Sequence, residues 1–326
     1  MSNARIPKGR TARDGQGVRT LLIGCGFIGS HVVEELAAQS RPPVVLTRSR
    51  PASGVASLIP EGDLHLGDAQ DTETLERALV GVGHVVFTAG GLLPAASEEN
   101  PELDEKLTLG PVRAVLAALA ARPGVTLTYL SSGGTVYGEP AAVPVGEDAP
   151  TEPVGAYGRL HLACEEEVMA AHRERGLSVR ILRCATVYGE HQHPDRGQGV
   201  VVTFLHRIES GEPVHLFGEG GTIRDYIYAG DVATAIVRLL DRAEVDPILN
   251  LGSGEGTSLA EVLALAEKEA GRSANVVRHP ARDFEVHRIV LDTTRLRGQI
   301  EFEPTPLRVG IARTHRWLVT AAPEQV

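Results

Sequence analysis

The chain has little cysteine, no long apolar run and no excess of positive charge, and each shortage excludes something. Its three cysteines, Cys25, Cys164 and Cys184, fall at no metal-ligand spacing. No cysteine metal site is indicated, and a reduced, cytoplasmic setting is expected. Glycines and charges break every apolar stretch before it reaches spanning length, so no membrane segment is expected. Residues 1–17 carry Arg5, Lys8, Arg10 and Arg13 without an apolar region, which reads as a disordered tail rather than a signal peptide. A formal net charge of −10 argues against nucleic acid as a partner. There is no internal repeat and no low-complexity block. What is present is 326 residues, 42 % of them hydrophobic, enough to bury one large α/β unit with an annex.

Val18–Ile23 is a short apolar run that ends in Gly-Cys-Gly, and Phe27–Gln39 follows with helical spacing of Ile28, Val32, Val33 and Leu36. Strand-like runs recur at Val44–Thr47, Leu64–Leu66, Val85–Thr88, Leu127–Ser131 and Val179–Arg183. Helical patterns separate most of them, at Thr72–Val80, Glu102–Ala121 and Tyr157–Arg175. Alternation of this kind predicts an α/β fold, a Rossmann-type doubly wound parallel sheet covered on both faces. Beyond Cys184 the texture changes to short strands at Val214–Phe217, Ile223–Ile227 and Ile289–Leu291, interleaved with helices at Asp231–Leu240 and Leu259–Ala270. The expected organisation is a tail (1–17), a dinucleotide-binding domain (18–184) and a smaller mixed α/β substrate domain (185–326) with segments returning to the main sheet.

Gly24-Cys25-Gly26-Phe27-Ile28-Gly29 fits G-x-G-x-x-G with a strand before it and a helix after it. Gly24 permits the tight turn, Gly26 the approach of a pyrophosphate, and Gly29 close packing of helix on strand. The phosphates then meet the helix N-terminus. At the end of the second strand an NAD site wants an acid for the ribose hydroxyls, but this chain has Thr47-Arg48-Ser49-Arg50. A cation and hydroxyls suit a 2′-phosphate, which favours NADP(H) over NAD(H). Asp68 is placed to accept from the adenine amine or to cap the next helix.

Five ordered segments carry a resemblance: Gly24–His31, Ser131–Gly138, Tyr157–Glu165, Gly218–Asp231 and Leu249–Leu259. Together they resemble the NAD-dependent epimerase/dehydratase group of extended short-chain dehydrogenases, and in particular the UDP-glucose 4-epimerases and their relatives. The resemblance implies a nucleotide-sugar substrate, a nicotinamide dinucleotide and a homodimer formed through a helix pair. It adds Phe27, Ile28, Ala89 and Ser131 to the cofactor contacts. It also makes Tyr157 the catalytic tyrosine of a Tyr-x-x-x-Lys motif, whose lysine lowers the phenol's pKa and holds the nicotinamide ribose. Here that position is His161, which also joins the cofactor contacts.

Further departures follow. The assisting Ser/Thr position is Gly133, with Ser132 and Thr135 on either side; alternation along an extended segment favours Thr135. The Asp-Glu pair of the dehydratases and the Glu of the decarboxylases are missing at Gly134-Thr135. By resemblance Arg224 and Arg282 grip the substrate diphosphate, Thr186 stands where relatives carry Asn, and His215 and Phe217 line the nucleotide base. His191 and His193 invite a metal reading, but no third ligand stands near in sequence and a polar loop is expected. These features point first to an NADP(H)-dependent reductase of a nucleotide-linked 4-keto sugar. The alternatives are a UDP-hexose 4-epimerase and a non-catalytic dinucleotide sensor.

Overall fold

The structure is a computed structural model that describes residues 18–194, 199–218, 220–280 and 286–320. The expected disordered tail and Arg282 lie outside the described residues. The first half alternates as the runs predict: β1 (Arg19–Ile23), α1 (Phe27–Ala38), β2 (Val44–Thr47), α2 (Ser53–Ala56), β3 (Leu64–Leu66), α3 (Thr72–Ala78) and β4 (Val82–Phe87). Then come α4 (Pro94–Glu99), α5 (Pro101–Ala120), β5 (Thr126–Ser132), α6 (Gly133–Val136), α7 (Ala156–Arg175) and β6 (Ser178–Cys184). The remainder runs β7 (Thr186–Tyr188), α8 (Val200–Ser210), β8 (Val214–Phe217), β9 (Ile223–Tyr228), α9 (Ala229–Leu240) and β10 (Ile248–Leu251). It closes with β11 (Gly256–Ser258), α10 (Leu259–Ala270), β12 (Val276–His279), β13 (Arg288–Ile289), α11 (Thr294–Gln299) and α12 (Leu307–Thr320).

Seven parallel strands form the main sheet in the order β10-β6-β5-β4-β1-β2-β3. The order reverses between β1 and β4, and in open α/β sheets that switch point opens a ligand crevice at the strands' C-terminal ends. One face is covered by α1 and α9, which pack Val32, Val33 and Leu36 near Val232 and Ile236. The other is covered by α5 and α7 through Val112, Val115, Leu116, Cys164 and Val168. Strands buried on both faces have no polar side to show, which is why they read as unbroken apolar runs.

After β6 the chain returns β10 to the sheet beside β6. Most of the rest builds a third apolar cluster, in which Phe204, Leu205, Val262 and Ile311 join α8, α10 and α12. The edge strands there are short. β9 lies between β11 and β13 and also pairs with β7, while β8 pairs with β12. The last strand is Arg288–Ile289 rather than Ile289–Leu291; Leu291 instead bridges to Val145.

Candidate active site

The glycine loop is built by close approach. Gly24 has φ +95, and a Cβ there would lie 2.6 Å from the Ala89 nitrogen. Ala89 is held on the strand end by Ile23, whose carbonyl accepts from its N–H at 3.0 Å. A Cβ at Gly29 would collide with the Gly24 carbonyl, so helix and turn can meet only with glycine there. At Gly26 a Cβ would meet nothing within 4 Å. The N-terminus of α1, beginning at Phe27 and Ile28, therefore presents its first N–H groups across an open cradle, a fit for a pyrophosphate.

At the end of β2 the two expected polar contributors separate. The Thr47 side chain is buried and its hydroxyl accepts from the Cys25 N–H at 3.4 Å, a long bond that ties β2 to the glycine loop. Arg48 is exposed and donates to the Gly90 carbonyl at 3.4 Å, across the same crevice. Asp68 does not cap a helix: its carboxylate accepts from the Gln70 N–H at 2.8 Å, and Asp71 caps α3 by accepting from Glu73.

Ser132 ends the extended β5, but Thr135 does not continue it. Gly133–Val136 is one helical turn, with Ser132 as its N-cap residue. Two consecutive glycines hide this turn from propensity, and the argument from strand alternation for Thr135 fails. A turn puts positions three apart together. Thr135 donates its proton back to the Ser132 carbonyl at 3.2 Å, whereas no bond within the described residues engages the Ser132 hydroxyl. α7 starts hard against this turn: a Cβ at Gly158 would stand 2.9 Å from the Thr135 carbonyl. Glu98 on α4 accepts from the Ala156 N–H and holds the helix start. The first turn of α7, which carries Tyr157, thus packs against the turn that carries Thr135.

The electrostatics of Tyr157 run opposite to those of a phenol that gives up its proton easily. Burial first, then the Asp104 carboxylate and Cys184, push it well above the ordinary value. His161 supplies no offsetting cation, because burial pushes it down to about 4 and Asp104 only opposes this. Its ring packs against Tyr157 at 4.5 Å between centroids, and its Nδ1 lies 3.0 Å from the Tyr129 hydroxyl. Asp104, on α5, is 1 % exposed. Its Oδ1 accepts from the Leu92 N–H at 2.8 Å and the Thr108 hydroxyl at 2.9 Å, but its Oδ2 has no partner.

Across the crevice, Thr186 on β7 pairs with Tyr226 on β9, the strand that also carries Arg224. Arg224 donates to the Ile223 carbonyl at 3.1 Å. His215 and Phe217 lie on β8, and both meet His279 of β12: His215 at 2.8 Å through nitrogen, Phe217 by ring stacking at 4.9 Å. His191 faces Glu34 at 2.9 Å. Among the described residues no group of three or more His, Cys, Asp or Glu is arranged to hold a metal ion.

Sequence reasoning missed the polar network behind Tyr157. The Arg183 guanidinium forks onto Glu165, with Nη2 2.7 Å from Oε2, and Ser131 donates to the same carboxylate at 2.5 Å. Arg183 also donates to Tyr137, which in turn donates to Asn250 on β10. Ser131 is therefore committed to Glu165 and buried. Asp225 plays a similar part in the annex. Its carboxylate accepts from the N–H groups of Ser253, Gly254 and Leu291, which explains the Gly-Ser-Gly stretch as a wrap around a buried acid.

A glycine-loop cradle at a Rossmann switch point, with the tyrosine-bearing α7 starting against the turn that follows β5, is the arrangement of a short-chain-dehydrogenase type of site. The chain belongs to the NAD dependent epimerase/dehydratase family, whose model matches residues 20–252. It is 32% identical over 91% of its length to a UDP-glucose 4-epimerase of Mycolicibacterium smegmatis, covering 97% of that protein. The UDP-glucose 4-epimerase of Thermus thermophilus, solved in complex with NAD, superposes with a TM-score of 0.85 at 32% identity, covering 94% of this chain and 100% of that one. The Thermotoga maritima UDP-glucose 4-epimerase, solved with UDP-glucose, gives a TM-score of 0.85 at 29% identity, covering 93% and 99%. dTDP-sugar reductases and a dehydratase match at 26–27% identity.

Proposed function

We propose that the chain is a nicotinamide-dependent UDP-hexose 4-epimerase. Supporting the reading is the packing of the start of α7, which carries Tyr157, against the Gly133–Val136 turn, in a chain similar to UDP-glucose 4-epimerases along nearly its whole length. This replaces 4-keto reduction as the leading reading, because relatives at 32% identity carry the epimerase name whereas the reductases match at 26–27%. The nicotinamide supplies a hydride acceptor and donor at the sugar's C4. Tyr157 takes the proton of the 4-hydroxyl as the ketone forms and returns it from the same side chain after the keto sugar has turned over. Ser132, whose hydroxyl is uncommitted among the described residues, polarises the sugar oxygen in preference to Thr135. Arg224 and Thr186 hold the diphosphate of the substrate, and His215 and Phe217 line its nucleotide base.

The reductase reading keeps one observation in its favour. Tyr157 is held as a protonated phenol, the starting state for protonating an alkoxide. Supplying NADPH and a nucleotide-linked 4-keto sugar separates the two: a reductase consumes NADPH one for one, an epimerase shows no net loss. Cofactor choice rests on Arg48. The relatives' complexes hold NAD, whereas an arginine in place of an acid supports NADP(H) here. On that basis NADPH binds more tightly than NADH and Arg48→Ala removes most of the difference; equal affinities in the parent protein would refute it. Assembly as a homodimer belongs to the same proposal.

A further inference from the structure

His161 stands where the family resemblance puts a lysine, and its surroundings give it a different chemistry. Tyr129 and His161 are buried, and the Tyr129 hydroxyl lies 3.0 Å from His161 Nδ1. The groups facing the imidazole are Tyr129 from β5, Tyr157 from α7 and Asp104 from α5, while Cys164 of α7 faces the Tyr129 hydroxyl. Burial keeps Tyr129 a phenol and keeps His161 without charge at neutral pH. One hydroxyl proton then has two candidate acceptors, Nδ1 and the Cys164 sulfur. Cys164 is pushed up to about 12 and stays a thiol, and thiol sulfur is a weak acceptor beside an imidazole nitrogen. The proton goes to Nδ1, so an uncharged ring must carry its own proton on Nε2. Among the described residues no hydrogen bond engages Nε2, and the ring packs against Tyr157 at 4.5 Å between centroids.

We infer that Tyr129 is a positioning residue: it fixes His161 as an uncharged imidazole that offers Nε2–H to the crevice, where a ribose hydroxyl oxygen of bound dinucleotide accepts it. A lysine grips the same oxygen by charge; the Tyr129–His161 pair grips it by a preset tautomer. Only the identity of the acceptor rests on the proposed function.

The test is the ring-nitrogen NMR of the full chain labelled with 15N-histidine, with His161→Gln used for assignment. The expected parent signals are a bare Nδ1 and a protonated Nε2, unmoved as pH passes the ordinary histidine value of ~6.5. Tyr129→Phe keeps the ring and its packing, so it should fold, and it should send the signals to a tautomer mixture. NADH and NADPH should both bind more weakly to it in proportion to the rings that lose the Nε2 proton, about twofold for an even mixture, with sugar-nucleotide affinity unchanged. Cys164→Ala should leave the tautomer as it is. A protonated Nδ1 in the parent, titration near ~6.5, unaltered signals in Tyr129→Phe, or a tautomer shift in Cys164→Ala would each overturn the inference. A parent that bound no nicotinamide dinucleotide would instead bring down the functional reading, and the ribose acceptor with it.

Discussion

At the residue scale the question is how a phenol without a cation beside it handles a proton. Tyr157 is raised by burial, by Asp104 and by Cys184, and the chain's three lysines, Lys8, Lys106 and Lys268, all lie off α7. Asp104 is the part of this that a substitution can remove cleanly. Asp104→Asn keeps an oxygen for Leu92 and Thr108 and replaces the partnerless Oδ2 with an amide. Loss of the anion should lower the Tyr157 pKa, so the rising limb of the rate of sugar oxidation, which needs the phenolate, should move to lower pH. A limb that stayed in place or moved up would show that Asp104 does not act on Tyr157. His161 makes a separate prediction for stability. Its folded value of about 4 lies below the ~6.5 of an unfolded chain. Between the two values the unfolded chain binds the proton first, so stability is intact above ~6.5 and falls as pH falls toward ~4. The loss reaches roughly 3 kcal/mol at most for this group. His84, also held down to about 4 by burial, adds to it. Denaturant midpoints followed through that window should drop less steeply in His161→Phe than in the parent; parallel curves would contradict the burial of a neutral ring.

At the scale of elements, α7 is held by its middle as well as by its start. Glu165, two turns after Tyr157, forms a buried ion pair with Arg183 on β6 and takes the Ser131 proton from β5. Removing one partner strands a buried charge, which costs about 3–5 kcal/mol, whereas replacing both with apolar residues costs far less. Urea unfolding should therefore show Arg183→Met strongly destabilised and Glu165→Met/Arg183→Met largely recovered; equal losses would mean that the pair is not acting as a unit. The elements themselves were unequally legible. The buried parallel strands announced themselves as β-branched runs, and α10 by its apolar spacing over Leu259–Ala270. α8 did not: Val200-Val201-Val202-Thr203-Phe204 has strand propensity, and only packing of Val201, Phe204, Leu205 and Ile208 into the annex cluster makes it a helix. α6 was hidden by Gly133 and Gly134. The glycine loop and Tyr157 could be read because each role is fixed by local spacing. The proton state of His161 could not, because it is set by Tyr129, 32 residues away.

For the whole molecule, chain order and spatial order part company after β6. β10 goes back to the sheet and α9 to the face of α1, while β7 and β9 leave Thr186 and Arg224 on neighbouring strands of the annex. In the proposed reading this lets one crevice take a dinucleotide from the sheet side and a sugar nucleotide from the annex side, with Tyr157 between them. None of the described helices is long and apolar enough to cross a membrane. The measurement that bears most directly on the account is the NMR of UDP-glucose incubated with the protein and a catalytic quantity of NAD or NADP. The account predicts the appearance of the C4 epimer until the two sugars equilibrate, no net reduction of the cofactor, and no conversion with Tyr157→Phe. Unchanged UDP-glucose with the parent protein and either cofactor, or conversion that survives Tyr157→Phe, would contradict it.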